Sequence, residues 1–331
     1  MAASYRVCGL GLQFNVPVAG LERLPAHPRV DVRVTLGALP AAIEAAARNA
    51  RDYYVESLLD ERGEPCMSVA RLQDGAYFRL AYSEGVTIVV DARGSEVWAA
   101  WKEALSIEDA VSFVTGSALG FVLRLRGITC IHGSAIRVGD SAVAVAGPSG
   151  SGKSSTAAGF ARLGHAILSD DILALTEMRA GFVVEPAFPR VHLWPQSARS
   201  MFGSWDALPR IAPNWDKRHL DLEAHGFAFE RAPLPLAAIY FLDERSAADG
   251  IPVIEPVSPG DALIALVCDS HATEFVEATQ RAAEFDVLAR VLARVPARRV
   301  MPCADLARIP ELCEAIVRDF GRITGAQAAA A

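Results

Sequence analysis

Disulfide chemistry, basic runs and long apolar stretches are all missing from this chain of 331 residues. Its six cysteines, Cys8, Cys66, Cys130, Cys268, Cys303 and Cys313, form no C-x-x-C pair and have no histidine at a metal-ligand spacing. A zinc site is therefore not expected, and they read as reduced core thiols. The 32 basic residues are outnumbered by 39 acidic ones, giving a formal net charge of −7, and they form no run. That excludes the basic stripe with which nucleic-acid binders hold phosphates, leaving room only for a local basic pocket. The most apolar window, Val111 to Leu123, is interrupted by Thr115, Gly116 and Ser117. It falls short of the about eighteen residues that a spanning helix needs, so it reads as a buried helix and no membrane association is expected. The opening Met1-Ala-Ala-Ser-Tyr-Arg-Val-Cys8 lacks a basic segment followed by an apolar stretch and cleavage site, so a cytoplasmic location is expected. No internal repeat is present.

A composition of 52% apolar and 21% charged residues excludes disorder as the main state. At about 100 to 200 residues per domain, the length suggests two domains. In the first, apolar and polar residues alternate from Arg29 to Leu36, and short strands are expected at Cys66–Leu72, Ala76–Ser83 and Val86–Asp91. Asp74-Gly75, Glu84-Gly85 and Arg93-Gly94 separate them as turns, giving a mostly β domain over residues 1–104, with a helix at 41–51. From residue 105 a second domain is expected to open on a helix capped by Ser106 and ended by Gly127. Strands at Thr129–Val138 and Ala142–Ala146, a glycine-rich turn, a helix over 153–163 and a strand running into Asp170 then read as a βαβ-like nucleotide unit. An apolar strand at Leu236–Leu242 and helices at Pro259–Val267, Thr273–Leu292 and Cys303–Phe320 follow.

The glycine-rich turn reads Gly147-Pro148-Ser149-Gly150-Ser151-Gly152-Lys153-Ser154, a complete G-x-x-x-x-G-K-[ST] P-loop. Its glycines let successive backbone N–H groups turn towards one anionic centre. Lys153 then reaches the β/γ-phosphates, and the Ser154 hydroxyl can ligate Mg²⁺. Asp170 and Asp171 follow about one helix later. Because neighbours on a strand point to opposite sides, one carboxylate is expected to face Mg²⁺ and the other an acceptor hydroxyl. Phosphoryl transfer needs both roles, charge neutralisation and a base. His132 lies on the strand before the P-loop strand, where a histidine beside glycine is more often structural than catalytic. A rival reading comes from Ile239-Tyr-Phe-Leu-Asp243-Glu244, an apolar strand ending in Asp-Glu as in many ATPase motors; the Leu-Ser-Gly-Gly signature of transporter ATPases is absent.

Ile131-His132-Gly133, the P-loop and Gly164-His165-Ala-Ile-Leu-Ser169-Asp170-Asp171 together resemble the catalytic core of the HPr kinase/phosphorylase family, in order and spacing over about forty residues. The resemblance implies an α/β fold: a P-loop domain like that of HPr kinase and phosphoenolpyruvate carboxykinase, preceded by the β-rich domain. It also implies Asp170 as general base, Asp171 and Ser154 as holders of Mg²⁺, Lys153 on the phosphates and His132 beside the reacting centre. Ser155, counted with the nucleotide-binding loop, stands where that family has an acidic residue, and its E-V-R-G-L-G segment is replaced by Glu185-Pro-Ala-Phe-Pro-Arg-Val-His-Leu-Trp-Pro195.

Tyr5-Arg-Val-Cys-Gly-Leu10, Gly120-Phe-Val-Leu-Arg-Leu-Arg-Gly127, Phe188–Pro195 and Trp215-Asp-Lys-Arg-His-Leu-Asp221 further resemble the HPr-kinase-related serine kinases encoded with lasso-peptide genes. That likeness implies ATP- and Mg²⁺-dependent phosphorylation of a precursor peptide's C-terminal serine. Lys217 and Arg218 then become candidates to hold a transferring phosphate or a peptide carboxylate, and Phe188, Trp194 and Trp205 candidates to line an acceptor groove. HPr kinases commonly form hexamers, so a homo-oligomer is compatible with the resemblance. The alternatives are a P-loop ATPase without kinase activity, using Asp243 and Glu244, and a nucleotide-sensing regulator.

Overall fold

The computed structural model describes residues 4–330 apart from 19, 49, 61, 213, 214, 249, 251, 269 and 271–276. The chain gathers into two compact units, one of residues 1–128 with 211–215 and 271–282, the other of 129–210, 216–270 and 283–331.

The first unit is built on an eight-stranded sheet. Its strands are β1 (Ser4–Val7), β2 (Leu10–Phe14), β3 (Val32–Leu36), β4 (Asp52–Val55), β5 (Met67–Leu72), β6 (Tyr77–Tyr82), β7 (Val86–Asp91) and β8 (Glu96–Trp101), in the order β1-β2-β3-β8-β7-β6-β5-β4. Strands β5 to β8 form the antiparallel meander that their turns predict. Gly85 and Gly94 take the positive φ those turns require. Between β3 and β4, helix α1 (Ala41–Arg48) seats Ile43 and Ala47 against Leu72 and Val89.

Ser106 caps helix α2 (Ile107–Phe113): its hydroxyl accepts from the Asp109 N–H at 3.2 Å, and the Asp109 carboxylate accepts from the Ser106 N–H at 2.7 Å. The single helix expected up to Gly127 is broken by a π-helical turn, Val114–Ala118, where Gly116 leaves helical geometry, before α3 (Leu119–Leu125) resumes it. These helices group with the first unit rather than opening the second. Phe121 of α3 is fully buried and meets Phe78 of β6 edge to face, with ring centroids 5.1 Å apart, so their apolar surface is covered by the β-rich sheet. The contacts accordingly divide the chain at 128/129 where composition suggested 104/105.

The second unit contains β9 (Cys130–Val138), β10 (Ser141–Ala146), α4 (Lys153–Arg162), β11 (Ile167–Met178), β12 (Gly181–Glu185), β13 (Arg190–Leu193), α5 (Pro195–Phe202), β14 (Arg210–Ala212), β15 (Trp215–Asp221), β16 (Leu234–Leu242), β17 (Val253–Pro256), α6 (Pro259–Cys268), α7 (Ala278–Leu292), β18 (Ala297–Met301) and α8 (Ile309–Ala330). Of these, Ile211 and Ala212 of β14, Trp215 of β15 and Ala278–Ala282 of α7 are counted with the first unit. The main sheet runs β10-β9-β11-β12-β16-β18-β17, and β10 also pairs in parallel with β16. Strands β10 and β11, joined through α4, run in the same direction but are not neighbours. Strand β9 lies between them and is antiparallel to both. This differs from a simple βαβ unit and matters for the site, because it sets His132, Gly133 and Ser134 directly beside Asp170 and Asp171.

Strand β11 also does not stop at Asp170 but continues to Met178, pairing with β9 and then β12. The helix expected at Thr273–Leu292 is seen from Ala278; residues 273–276 lie outside the described residues. The one expected at Cys303–Phe320 starts at Ile309 after a 3-10 turn, Leu306–Arg308, capped by Asp305. Among the described residues no helix is long and apolar enough to cross a membrane. The Ser106 cap joins the end of the sheet to the helices that cover it, so Ser106→Ala should cost about 1 kcal/mol in chemical denaturation. An unchanged denaturation midpoint would show that the cap contributes nothing there.

Candidate phosphoryl-transfer site

The P-loop is shaped by close backbone approaches that only glycine permits. At Gly147, φ is 135° and an added Cβ would lie 2.6 Å from the Leu242 carbonyl of β16. Gly152, at φ 105°, ends the loop and begins α4 with no side-chain cap. The first N–H groups of a ten-residue helix are thus directed towards the loop, a favourable setting for an anion. Lys153 is buried, and its Nζ donates to the carbonyls of Gly147 at 2.6 Å and Pro148 at 2.9 Å. Ser155 also lines the cavity, where its buried hydroxyl bonds to that of Ser197 at 2.7 Å and ties α4 to α5.

The two carboxylates do not divide between opposite faces as a regular strand would make them. Strand β11 carries a register shift between Ile167 and Ser169, and Asp171 sits at φ 79°, a left-handed backbone unusual outside glycine. With the alternation broken at Asp171 itself, Asp170 and Asp171 both line one cavity of about 340 Å³, together with His132, Lys153 and Ser154. Across the β9–β11 pair, Asp170 faces Ser134 and Asp171 faces Gly133. The fully buried Ser134 hydroxyl donates to Asp170 Oδ1 at 2.7 Å, and the His192 N–H donates to Oδ2 at 3.1 Å. Burial holds the Asp170 carboxyl above its ordinary range. The bonds from Ser134, His192 and the Ser154 hydroxyl pull it down, and the charge of Asp171 pushes it up again. His132 Nδ1 lies 3.4 Å from Asp171 Oδ1.

Strands β13 and β15 form the opposite wall. His192 and His219 face each other in register with ring centroids 5.8 Å apart, and burial depresses both, His219 to about 4 and His192 well below its ordinary value. Both imidazoles are therefore neutral near pH 7. Burial likewise lowers Arg190, to about 10, against the opposing pull of Asp171 and Asp170. Lys217 reaches the cavity with its ammonium 5.5 Å from the centroid of the half-exposed Trp194 ring, a cation–π pair. Arg218 does not reach it. As its strand neighbour it points the other way, buried, donating to the carbonyls of Trp205 and Asp216 and to the Asp206 carboxylate at 2.9, 2.8 and 3.0 Å. Phe188 is core, packed under Arg190, and Trp205 lies outside the cavity beneath Arg199.

The ATPase residues are not at the site either. Asp243 approaches Arg299 at 3.8 Å and Glu244 is exposed, while the residue after them, Arg245, lines the cavity. The site residues not singled out from sequence are Ser134, His192, Arg190 and Arg245. Arg190 and His192 fall within the Phe188–Pro195 segment and Ser134 follows Ile131-His132-Gly133, but only strand register shows that they adjoin the carboxylates. For the Mg²⁺ implied by the resemblance, the donor set is hard oxygen, Ser154 and Asp171. No group of three His, Cys, Asp or Glu that could hold a metal occurs among the described residues. Two oxygen donors, Ser154 and Asp171, suit an ion which takes few protein ligands and completes its shell with water and phosphate.

Because the Ser134 bond favours the ionised form of Asp170, Ser134→Ala should raise the Asp170 midpoint further. Titration followed by NMR of the carboxyl carbons should place the wild-type midpoint above about 3.9 and the variant's higher still. A wild-type midpoint at or below that value, or a downward move in the variant, would contradict this electrostatic picture. A raised midpoint in the folded state also means that the Asp170 contribution to stability is fully present below the unfolded value of about 3.9 and is lost as pH rises through the folded one.

No protein-family model matches the chain, and no curated protein matches it in sequence. Among solved structures it is similar to the Hpr(Ser) kinase/phosphatase from Coxiella burnetii, at 12% identity and a TM-score of 0.32, covering 57% of this chain and 94% of that one. A likeness at that TM-score does not by itself say what this chain does.

Proposed function

We propose that this protein is an ATP- and Mg²⁺-dependent kinase that transfers phosphate to a serine hydroxyl, the acceptor being the C-terminal serine of a lasso-peptide precursor. The observation that carries the reading is a desolvated carboxylate, Asp170, on the same cavity as Lys153 and Ser154 of an intact P-loop. A base that takes a hydroxyl proton works best with its pKa raised towards the operating pH, and burial moves Asp170 that way. In the proposed step the serine oxygen bonds to the γ-phosphorus, the bond from phosphorus to the β-bridging oxygen breaks, ADP leaves, and the hydroxyl proton passes to Asp170. Most of the rate enhancement in such transfer comes from positioning and from charge neutralisation. Lys153 and the α4 N-terminus supply positive charge to the phosphates. Asp171 and Ser154 would hold Mg²⁺, which when bound shields the phosphate charge. His132, beside Asp171, would orient that carboxylate. The peptide acceptor is argued from the kinase-like motifs and from Lys217 stacked on Trp194, where an ammonium and an aromatic face at the cavity suit a chain end carrying a carboxylate.

The test is the intact mass of a precursor peptide after incubation with protein, ATP and Mg²⁺, beside the same peptide without its terminal serine. The expected result is a gain of phosphate only on the intact peptide, lost with Lys153→Ala, and a KM raised about tenfold or more by Lys217→Ala at little cost in kcat. ATP consumed while neither peptide gains mass would refute the acceptor. ATP bound but not consumed would refute the kinase and favour a nucleotide-sensing regulator.

A further inference from the structure

Arg245 is a charged side chain lining this cavity that the proposed chemistry leaves unused. It follows Asp243 and Glu244 after the end of β16, and the Nη2 edge of its guanidinium adjoins the last glycine of the P-loop. A Cβ on Gly152 would fall 2.1 Å from Arg245 Nη2 and 3.1 Å from Cζ. Nη1 is anchored, donating to the Cys303 carbonyl at 3.0 Å, whereas Nη2 is buried with no hydrogen-bond partner among the described residues.

That placement runs against simple electrostatics. The guanidinium adjoins the positive end of the α4 dipole and shares a cavity with the Lys153 ammonium. Structural arginines in the same unit have carboxylate partners: Arg137 pairs with Glu230 at 2.7 Å and Arg298 with Asp319 at 3.3 Å. Of the two acids next to Arg245 in sequence, Asp243 is turned to Arg299 and Glu244 is exposed. Burial depresses the Arg245 guanidinium, with the Cys303 sulfur pulling the other way. A partly buried cation whose inner donor, Nη2, is unused beside two other positive centres makes sense when an anion with several oxygens occupies the space they share. The triphosphate of a nucleotide has that chemistry.

We propose that Arg245 is a phosphate-binding residue of the nucleotide site, using Nη2 on the polyphosphate while Nη1 holds the Cys303 carbonyl. The second bond ties the segment carrying Ala304 and Leu306, which also lines the cavity, to the occupied P-loop. The proposal rests on the nucleotide reading of the P-loop and goes beyond it in assigning a second cation from another strand. It also accounts for Gly152 by steric need: any side chain there would displace the guanidinium.

The test is equilibrium binding of ATP, and of inorganic tripolyphosphate in competition with it, to wild-type protein and to Arg245→Ala, Arg245→Gln, Arg245→Lys and Lys153→Ala, with the apo melting temperature of each as a folding control. Losing a charge-assisted bond to phosphate should weaken ATP and tripolyphosphate alike by about ten- to a hundredfold in the alanine and glutamine variants. Lysine should restore part of the loss, since it keeps the charge without the fork. Should the alanine variant not fold, the glutamine variant decides. Arg245 variants that bind both ligands as wild type does, while Lys153→Ala loses them, would overturn the proposal and leave the nucleotide reading intact. A loss confined to ATP would also overturn it, placing Arg245 away from the phosphates. Wild-type protein that binds no ATP, or a Lys153→Ala variant that binds it unchanged, would refute the P-loop reading itself, and the assignment of Arg245 with it.

Discussion

The hydrogen bond from Ser134 to Asp170 across the β9–β11 pair is the contact around which this site is arranged. It requires β9 to lie between the P-loop strand and β11, and it fixes a partly buried carboxylate at the cavity wall. An ionised carboxylate there is costly unless donors surround it, and Ser134, Ser154 and the His192 N–H provide them. The result is a carboxylate held by hydrogen-bond donors, with its pKa raised by burial. The neighbouring Asp171 has His132 Nδ1 at 3.4 Å and a left-handed backbone that turns it onto the same cavity.

Charge on the other side of the cavity is arranged with similar economy. Lys153 is folded onto carbonyls of its own loop, Lys217 rests on an aromatic face, and Arg190 sits buried behind the carboxylates that oppose its desolvation. His192 and His219, depressed by burial and by Arg190, stay neutral and add no positive charge near pH 7. Cations and carboxylates thus share one cavity: Lys153 lies at the P-loop, Lys217 beside Trp194, and Asp170 and Asp171 on β11.

Much of this was legible in the sequence because it is local. A P-loop is a contiguous turn whose glycines are required by its own backbone, and the meander β5 to β8 is punctuated by turns that the residues announce. The Asp pair could be located, but not its orientation. That depends on the φ of Asp171, which alternation cannot supply. Lys217 and Arg218 show the same limit: being strand neighbours, only one could face the cavity, and the pairing of β13 with β15 decides which. At the end of β16 the Asp-Glu pair drew attention from Arg245, whose relevance comes from a contact with Gly152 over ninety positions earlier. The helices after Ser106 were recognised as helices. Their grouping was missed because it depends on Phe78 and Phe121 meeting, a contact between distant residues.

The most direct test of the account compares Asp170→Asn with wild-type protein in two measurements on the same preparation, ATP affinity and single-turnover transfer to the peptide serine. If Asp170 is the base, ATP affinity should stay within a fewfold of wild type while transfer falls by about a hundredfold or more. Transfer at the wild-type rate would contradict that role, and loss of ATP binding together with transfer would mean that the carboxylate serves the nucleotide rather than the acceptor.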